Sequence, residues 1–286
     1  MTPTVQTFFD TTTSTATYLV SDPATRTAAV IDPVLDFEPK GAVLSTASAN
    51  AILAAVADQG LNLAYVLETH AHADHLSAAD YIRRATGAKV VIGAQITQVQ
   101  KAFIPLFEAQ DVSADGAAFD LLLNEGDELS LGETTIGVLH TPGHTPACVT
   151  YLIGDAAFVG DTLFMPDYGT ARADFPGGDA ATLYRSIRKL MALPPETRIF
   201  VGHDYLPAGR DNFRWQTTVA EQRAENIHVH DGVEEAAFVQ MREARDTTLA
   251  PPTLILPALQ VNIRAGALPA PSSSGRVFLK LPVTMA

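Results

Sequence analysis

The sequence predicts an α/β protein in which β-sheets are covered by helices. The chain has 286 residues, of which 47% are hydrophobic and 18% are charged, so it is long enough to bury a large core. Short runs rich in β-branched and aromatic residues recur between residues 17 and 201, as expected of strands. Segments with helical spacing of apolar residues lie between these runs, and this order is typical of sheets flanked by helices.

Each helix is predicted from apolar residues at helical spacing, and each strand from a short β-branched or aromatic run. In chain order, the predicted elements are strands Thr17–Ser21 and Ala28–Ile31, helix Ala49–Asp58, strand Tyr65–Glu68, helix Asp74–Ala85, strand Lys89–Ile92, helix Thr97–Phe107, strands Thr135–Leu139, Val149–Ile153 and Ala157–Val159, helix Asp179–Ala192, and strand Arg198–Val201.

The character of the chain changes after Tyr205. Residues 1–206 are predicted to form a catalytic domain, and residues 207–286 a C-terminal extension packed on the core. Within the extension, Gln216–Ile227 and Glu234–Arg245 have the pattern of charged surface helices, and Pro269–Ser274 that of a turn or linker. His228 and His230 belong to this charged part and are expected to be solvated.

The charge of the chain argues against two classes of partner. The formal net charge of −13 and the pI near 4.9 predict a surface that repels phosphate backbones and anionic lipid headgroups, so neither nucleic acid nor a membrane is an expected partner. Residues 1–10 lack the basic start and apolar run of a secretion signal, and a lone Cys148 forms no intrachain disulfide. We therefore expect a cytoplasmic protein with a buried, unreactive Cys148, and a homodimer is compatible with the sequence.

The sharpest pattern is Thr69-His70-Ala71-His72-Ala73-Asp74-His75, which follows a predicted strand. Alternate residues leaving a strand point the same way, so His70 and His72 can converge on one ion. Asp74 and His75 are expected at the start of the next helix, where they can face a second ion. Doubled ligand sets of this kind serve hydrolytic two-metal sites.

Three later loops carry further candidate ligands, and each loop follows an apolar run that is expected to end near the sheet edge. These candidates are His144 in Thr141–Thr145, Asp161 in Gly160–Thr162, and His203 in Gly202–Asp204. The sequence therefore predicts a metal centre built from imidazoles and carboxylates, which suit zinc or iron. The chain carries no P-loop or dinucleotide glycine fingerprint to anchor nucleotide chemistry.

The ligand pattern over Thr69–Tyr205 resembles the metallo-β-lactamase superfamily. This resemblance implies an αββα sandwich, in which two mixed β-sheets are flanked by helices and the metal site lies along one edge. Several segments are similar to persulfide dioxygenases, also called sulfur dioxygenases: Thr141–Thr145 with Cys148–Tyr151, Arg172–Phe175, and His203–Tyr205. The segment Gly160–Phe164 is also similar to glyoxalase II, a hydrolase of the same superfamily.

The dioxygenase resemblance implies that His70, His144 and Asp161 hold one Fe(II) per chain. Two imidazoles and one carboxylate leave coordination positions for a substrate sulfur and for O₂. The remaining candidates would then orient ligands and bind water near the iron, or hold a second metal in the alternative interpretation: His72, Asp74, His75, His203 and Asp204.

The reaction implied by the resemblance is oxidation of glutathione persulfide by O₂ and water to sulfite and glutathione. Arg172, Tyr205 and Arg264 are candidate substrate contacts, although Arg172 can equally form an ion pair under its loop and Tyr205 can simply be packed. An acidic protein that binds an anionic tripeptide needs local positive charge. The available arginines are Arg172, Arg210, Arg214 and Arg264.

Two other classes of function stay open. All the ligands of a dinuclear zinc site are present, so the chain can be a hydrolase that cleaves a glutathione thioester or another acyl compound with two Zn²⁺ ions. A metal-binding scaffold or redox sensor without turnover is less favoured, because such relatives are expected to lose ligands. Hydrolysis of β-lactams is also less favoured, because that activity normally accompanies secretion.

Overall fold

The structure is a computed structural model that describes residues 2–285. Its strands are β1 (Thr4–Asp10), β2 (Thr15–Ser21), β3 (Thr27–Ile31), β4 (Val34–Glu38), β5 (Val43–Ser45), β6 (Asn62–Leu67), β7 (Leu76–Ser77), β8 (Lys89–Gly93), β9 (Leu121–Leu123), β10 (Glu128–Leu131), β11 (Thr134–His140), β12 (Val149–Ile153), β13 (Ala156–Phe158), β14 (Arg198–Phe200) and β15 (Gln216–Thr218). Its helices are α1 (Ala47–Asp58), α2 (Ala79–Thr86), α3 (Ile96–Phe107), α4 (Ala180–Met191), α5 (Val219–Glu225), α6 (Glu235–Asp246) and α7 (Ile255–Asn262).

Two mixed six-stranded sheets form the centre of the fold. The first has the order β1-β2-β3-β6-β8-β9, antiparallel from β1 to β3 and parallel from β3 to β9. The second has the order β10-β11-β12-β13-β14-β15 and is antiparallel except between β13 and β14. A small third sheet, β5-β4-β7, lies beside them.

The buried side chains show how the layers stack. Tyr18 of the first sheet packs with Phe158 and Phe200 of the second, with ring centroids 5.3 Å apart in both pairs. Leu19, the next residue along β2, points to the opposite face, where α1, α2, α3 and α7 pack. On the outer face of the second sheet, α4 and α6 cover β13 and β14. The order of layers is helix, sheet, sheet, helix, which confirms the predicted αββα sandwich.

One predicted helix begins later than expected. Residues Asp74–Ala85 were expected to be helical, but α2 begins at Ala79, and Leu76–Ser77 forms β7 paired with β4. The irregular backbone before β7 places His72, Asp74 and His75 in a loop, so Asp74 and His75 do not lie at a helix start. The predicted helix Gln216–Ile227 is likewise shorter: it begins as β15 and continues as α5, where Thr218 and Glu221 form a capping box.

The described part of the C-terminal segment, residues 207–285, is closely integrated with the rest of the chain. Strand β15 pairs with β14, α6 packs on α4, and α7 packs near β7. The division of the chain at residue 206 stays a prediction. Among residues 2–285, no helix is long and apolar enough to cross a membrane.

Candidate metal centre

The predicted ligands lie in four loops that follow β6, β11, β13 and β14. These loops lie at one edge of the two sheets, and every one of the seven predicted His and Asp ligands belongs to a cluster of donor atoms there. Two glycines let the loops approach closely. A Cβ at Gly160, which has φ +50°, would lie 2.4 Å from Thr69 Oγ1, and one at Gly202 would lie 2.8 Å from Asp161 Oδ1.

The first cluster consists of His70, His144 and Asp161. Their donor atoms all lie within 4.8 Å of one another. His70 Nε2 is 3.9 Å and His144 Nε2 is 3.7 Å from the same oxygen, Asp161 Oδ2. Two imidazoles therefore face one carboxylate across a gap that a cation fits.

The second cluster consists of His72, Asp74, His75 and His203. His203 Nε2 lies 3.1 Å from Asp74 Oδ2 and 3.3 Å from Asp161 Oδ1, so Asp161 lies between the two clusters. His75 Nδ1 lies 3.6 Å from Asp74 Oδ2. This set can bind a second cation next to the first.

Neighbouring groups fix the orientation of three of these imidazoles. His144 Nδ1 donates to the carbonyl of Arg172 at 2.8 Å, and His203 Nδ1 donates to the carbonyl of Ser14 at 3.2 Å. Thr69 Oγ1 donates to Asp32 at 2.8 Å, so at 3.0 Å it accepts from His70 Nδ1. Each ring is therefore left with an Nε2 lone pair that points into the centre, as a metal ligand requires.

The unsatisfied atoms of the centre test whether a cation fits it. Buried atoms without a hydrogen-bond partner include His70 Nε2, His203 Nε2, His75 Nε2, Asp74 Oδ2 and Asp161 Oδ1. An unpaired buried polar atom costs about 1–3 kcal/mol, and more when it is charged, so several at one place call for a positive ion. The donor set of imidazoles and carboxylates fits zinc or iron.

A third cluster, which the sequence did not predict, consists of His72 with the carboxylates of Asp32 and Glu68. His72 Nε2 lies 3.0 Å from Asp32 Oδ1 and 3.2 Å from Glu68 Oε2, and Ser77 Oγ donates to Glu68 Oε1. Burial lowers the pKa of His72, but the two carboxylates outweigh burial and raise it well above its usual range. Asp32 follows the apolar run Ala28–Ile31, just as Asp161 follows a strand, and this signal in the sequence could have identified it.

Burial and neighbouring charges set the protonation of the other groups. Burial, together with the nearby His72 and His144, lowers the pKa of His70 well below its usual range. Burial raises the pKa of Asp74, but His203 and His75 outweigh this and lower it well below its usual range. Near neutral pH, His70 is therefore a neutral imidazole and Asp74 a carboxylate, which are the forms that bind a metal.

Two sets of hydrogen bonds from the C-terminal segment hold the metal-binding loops. Asn262 Nδ2 donates to the carbonyls of His72 and His75 at 2.8 Å each, and its Oδ1 accepts from Ser77 N at 2.8 Å. In α6, Arg242 Nη1 donates to the carbonyl of Thr170 at 3.1 Å, and Asp246 accepts from Ala173 N at 2.9 Å. The hydrogen bonds from Arg242 and Asp246 fix the backbone of residues 170–173, and the carbonyl of Arg172 in this segment accepts from His144 Nδ1.

A cavity of about 530 Å³ opens beside the metal centre. Asp74, His144 and Asp161 are among its lining residues, and its volume suits a small ligand. Tyr205 and Arg172 also line it, so the structure places two of the three predicted substrate contacts at the cavity. The Tyr205 ring is stacked on the His203 ring at 5.5 Å and is 39% exposed.

Two of the predicted site residues, Arg264 and Asp204, have side chains that other groups hold. Arg264 is not among the described residues that line the cavity, because Asp111 Oδ1 and Gln260 O hold its guanidinium in the buried α7 region. Asp204 belongs to no donor cluster among residues 2–285. Its carboxylate accepts from Arg210 and, at 2.6 Å, from Arg214 N, because successive side chains of extended backbone point to opposite sides.

Two further expectations concern single residues. His228 was expected to be solvated, but it is half-buried, and its Nδ1 accepts from Thr170 N at 3.1 Å. Burial lowers the pKa of His228 to about 4. Cys148 is buried as expected, and burial raises the pKa of its thiol to about 12.

Known proteins resemble this chain over nearly its whole length. Residues 10–203 match the family model of the metallo-beta-lactamase superfamily. The chain is 52% identical to a probable metallo-hydrolase of Burkholderia pseudomallei, over 98% of the chain and 99% of that protein. It is 51% identical to a beta-lactamase hydrolase-like protein of Xylella fastidiosa, but spans only 65% of that relative's length.

A more distant similarity connects the chain with persulfide dioxygenases. It is 32% identical to the mitochondrial persulfide dioxygenase ETHE1 of Homo sapiens, over 90% of the chain and 87% of that protein. Among solved structures, ETHE1 from Myxococcus xanthus superimposes with a TM-score of 0.74 at 34% identity, covering 92% of this chain and 100% of that one.

Proposed function

The chain belongs to the metallo-beta-lactamase superfamily, and on that premise we propose that it is a persulfide dioxygenase. The proposed substrate is glutathione persulfide, oxidised by O₂ and water to sulfite and glutathione. The proposed cofactor is one Fe(II) per chain, held by His70, His144 and Asp161.

The composition of the first donor cluster carries this proposal. His70, His144 and Asp161 come together as two imidazoles and one carboxylate, whereas His72 groups with the second cluster and contacts Asp32 and Glu68. A two-histidine, one-carboxylate set is typical of non-haem Fe(II) oxygenases. The similarity to ETHE1 proteins, which extends over 90–92% of the chain, supports the same activity.

The proposed reaction balances without another reductant. Glutathione persulfide, O₂ and water give glutathione, sulfite and two protons. The S–S bond breaks and the terminal sulfur loses five electrons, of which the inner sulfur gains one as it becomes the thiol and O₂ gains four. When bound, Fe(II) supplies open coordination positions at which the sulfur and O₂ can lie side by side.

The residues of the chain provide positioning and an enclosed site. Thr69 and the Arg172 carbonyl orient His70 and His144, so that both Nε2 atoms face Asp161. Phe37, Phe164 and Leu254 line the cavity and reduce the access of water to the reacting sulfur. Tyr205, stacked on His203 at the same cavity, is placed to contact the substrate.

A dinuclear zinc hydrolase is the second candidate, because specific observations favour it. The cluster of His72, Asp74, His75 and His203 offers a complete second set of donors, and the relative from B. pseudomallei at 52% identity is described as a probable metallo-hydrolase. In this alternative, the two clusters would hold two Zn²⁺ ions, which would supply an activated water for the cleavage of a glutathione thioester.

Parallel assays of anaerobically iron-loaded and zinc-loaded protein distinguish the two functions. An oxygen electrode records O₂ uptake with glutathione persulfide, and absorbance follows cleavage of S-lactoylglutathione. The dioxygenase proposal predicts one O₂ consumed and one sulfite formed per persulfide, only in the iron form. Rapid thioester cleavage by the zinc form, without O₂ uptake by the iron form, would select the hydrolase.

A further inference from the structure

The wall of the cavity carries three arginines, and only Arg172 was a predicted substrate contact. Arg172, Arg242 and Arg245 line the cavity, whereas its lining carboxylates are Asp74 and Asp161, both members of the donor clusters. The described lining residues do not include the other arginines that the sequence offered, Arg210, Arg214 and Arg264. This wall therefore groups three arginines at one place in a chain whose net charge is −13.

Two of these arginines already have partners. Arg172 forms a bidentate pair with Asp174, at 2.5 and 2.7 Å, and donates to the carbonyl of Ala250 at 2.8 Å. Arg242 is buried and forms its pair with Asp246 at 2.6 Å. Their charges are compensated and most of their donors are occupied, so both stabilise the wall of the cavity.

Arg245 differs from both. It is exposed, it lines the cavity, and within residues 2–285 its guanidinium has neither a hydrogen bond nor an ion pair. It lies in the last turn of α6, only three residues after Arg242. A guanidinium with five free donors suits bidentate binding of a carboxylate.

We infer that Arg245 forms a subsite for a carboxylate of the substrate. The ligand class is a thiol or persulfide that carries a carboxylate at some distance from its sulfur, so that sulfur reaches the metal centre while the carboxylate reaches α6. Glutathione has this chemistry, and the inference deepens the proposed function, on which its substrate rests. Arg245 is then a specificity-determining residue, because it contacts the substrate away from the reacting atoms.

The test is the binding of glutathione to iron-loaded protein under anaerobic conditions, measured by calorimetry. We expect Arg245→Ala to raise the Kd for glutathione about tenfold, which is the size of one charge-assisted contact at a partly exposed site. The Kd of Arg245→Lys for glutathione should lie between the values of the unmodified protein and of Arg245→Ala. Arg276→Ala is the matched control, because it removes one exposed, unpaired arginine that is not among the described lining residues.

Steady-state kinetics add a second readout. With glutathione persulfide, Arg245→Ala should raise KM about tenfold and leave kcat within twofold. With the persulfide of 2-mercaptoethanol, which has no carboxylate, both constants should match those of the unmodified protein.

The outcomes separate this inference from the proposed function. Equal Kd values for glutathione in the unmodified protein and Arg245→Ala would overturn the subsite, even with O₂ uptake intact. A loss of affinity that depends on Arg245, in a protein that consumes no O₂ with any persulfide, would support the subsite and overturn the dioxygenase. An equal rise in KM for both persulfides would also overturn the subsite.

Discussion

Replacing Asn262 with alanine tests whether α7 holds the metal-binding loop. Asn262 is buried, and its side chain makes three hydrogen bonds of 2.8 Å to His72 O, His75 O and Ser77 N. Asn262→Ala leaves two buried carbonyls and one N–H without partners. At about 1–3 kcal/mol for each group, and with partial relaxation, we expect a loss of about 3 kcal/mol in the free energy of unfolding.

The same substitution should weaken metal binding, because two of the three freed groups belong to His72 and His75. Loss of groups that orient ligands typically lowers metal affinity about 10- to 100-fold. Thermal unfolding of the metal-free protein should show a melting temperature about 6–12 °C lower in the variant. Competitive titration of the metal against a chelator measures the metal affinity.

Gln100→Ala provides the matched control. Gln100 is buried and also holds the end of α7, since its Nε2 donates to Ile263 O at 3.0 Å and its Oε1 accepts from Gly116 N at 2.9 Å. Within residues 2–285 it makes no hydrogen bond to the loop, so its substitution should lower stability and leave metal affinity unchanged. Unchanged metal affinity in Asn262→Ala, or an equal loss in both variants, would refute the reasoning.

Three further predictions follow from buried groups. Arg242→Ala should lower the free energy of unfolding by about 3–5 kcal/mol in chemical denaturation, because it leaves the charge of Asp246 unpaired. Arg242→Lys keeps a positive charge and should lose less of this free energy than Arg242→Ala. Neutral His228 contributes stability that is complete above its unfolded pKa of about 6.5 and is lost as the pH falls towards its folded pKa of about 4. Because the ring is partly exposed, His228→Ala should reduce the acid-induced loss in the free energy of unfolding by only about 1–2 kcal/mol. Identical pH profiles of the melting temperature in the variant and the unmodified protein would contradict this prediction. The Cys148 thiol, with its pKa raised to about 12, should react with a thiol reagent at pH 8 only after denaturation, and rapid labelling of the folded protein would show that the site is open.

The sandwich and the metal centre were predictable because their signals are local in the sequence. Each predicted strand is a short run that appears at or near its predicted position, and the ligands lie directly after such runs, as Asp161 does after β13. Strands that run in the same direction within a sheet end at a common edge, as β11, β13 and β14 do, so loops that are distant along the chain meet there. The His70–His75 motif adds four donors in a single loop.

Other features were not predictable because they depend on tertiary contacts. Asn262 is separated from His72 by 190 residues, and no local pattern connects them. The start of α2 at Ala79 depends on the pairing of β7 with β4, which overrides the helical spacing of Asp74–Ala85. Strand β1, one of the strands that were not predicted, is an edge strand with mostly half-buried side chains, so it lacks the apolar run that identified the predicted strands.

The most direct test of the central claim is the metal content of three proteins: the unmodified protein, His75→Ala and His144→Ala. Each protein is loaded anaerobically with Fe(II) and then desalted. The claim is that His70, His144 and Asp161 hold one metal without His75. It predicts about one iron per chain in the unmodified protein and in His75→Ala, and almost none in His144→Ala. Two metals per chain in the unmodified protein, falling to one in His75→Ala, would contradict it.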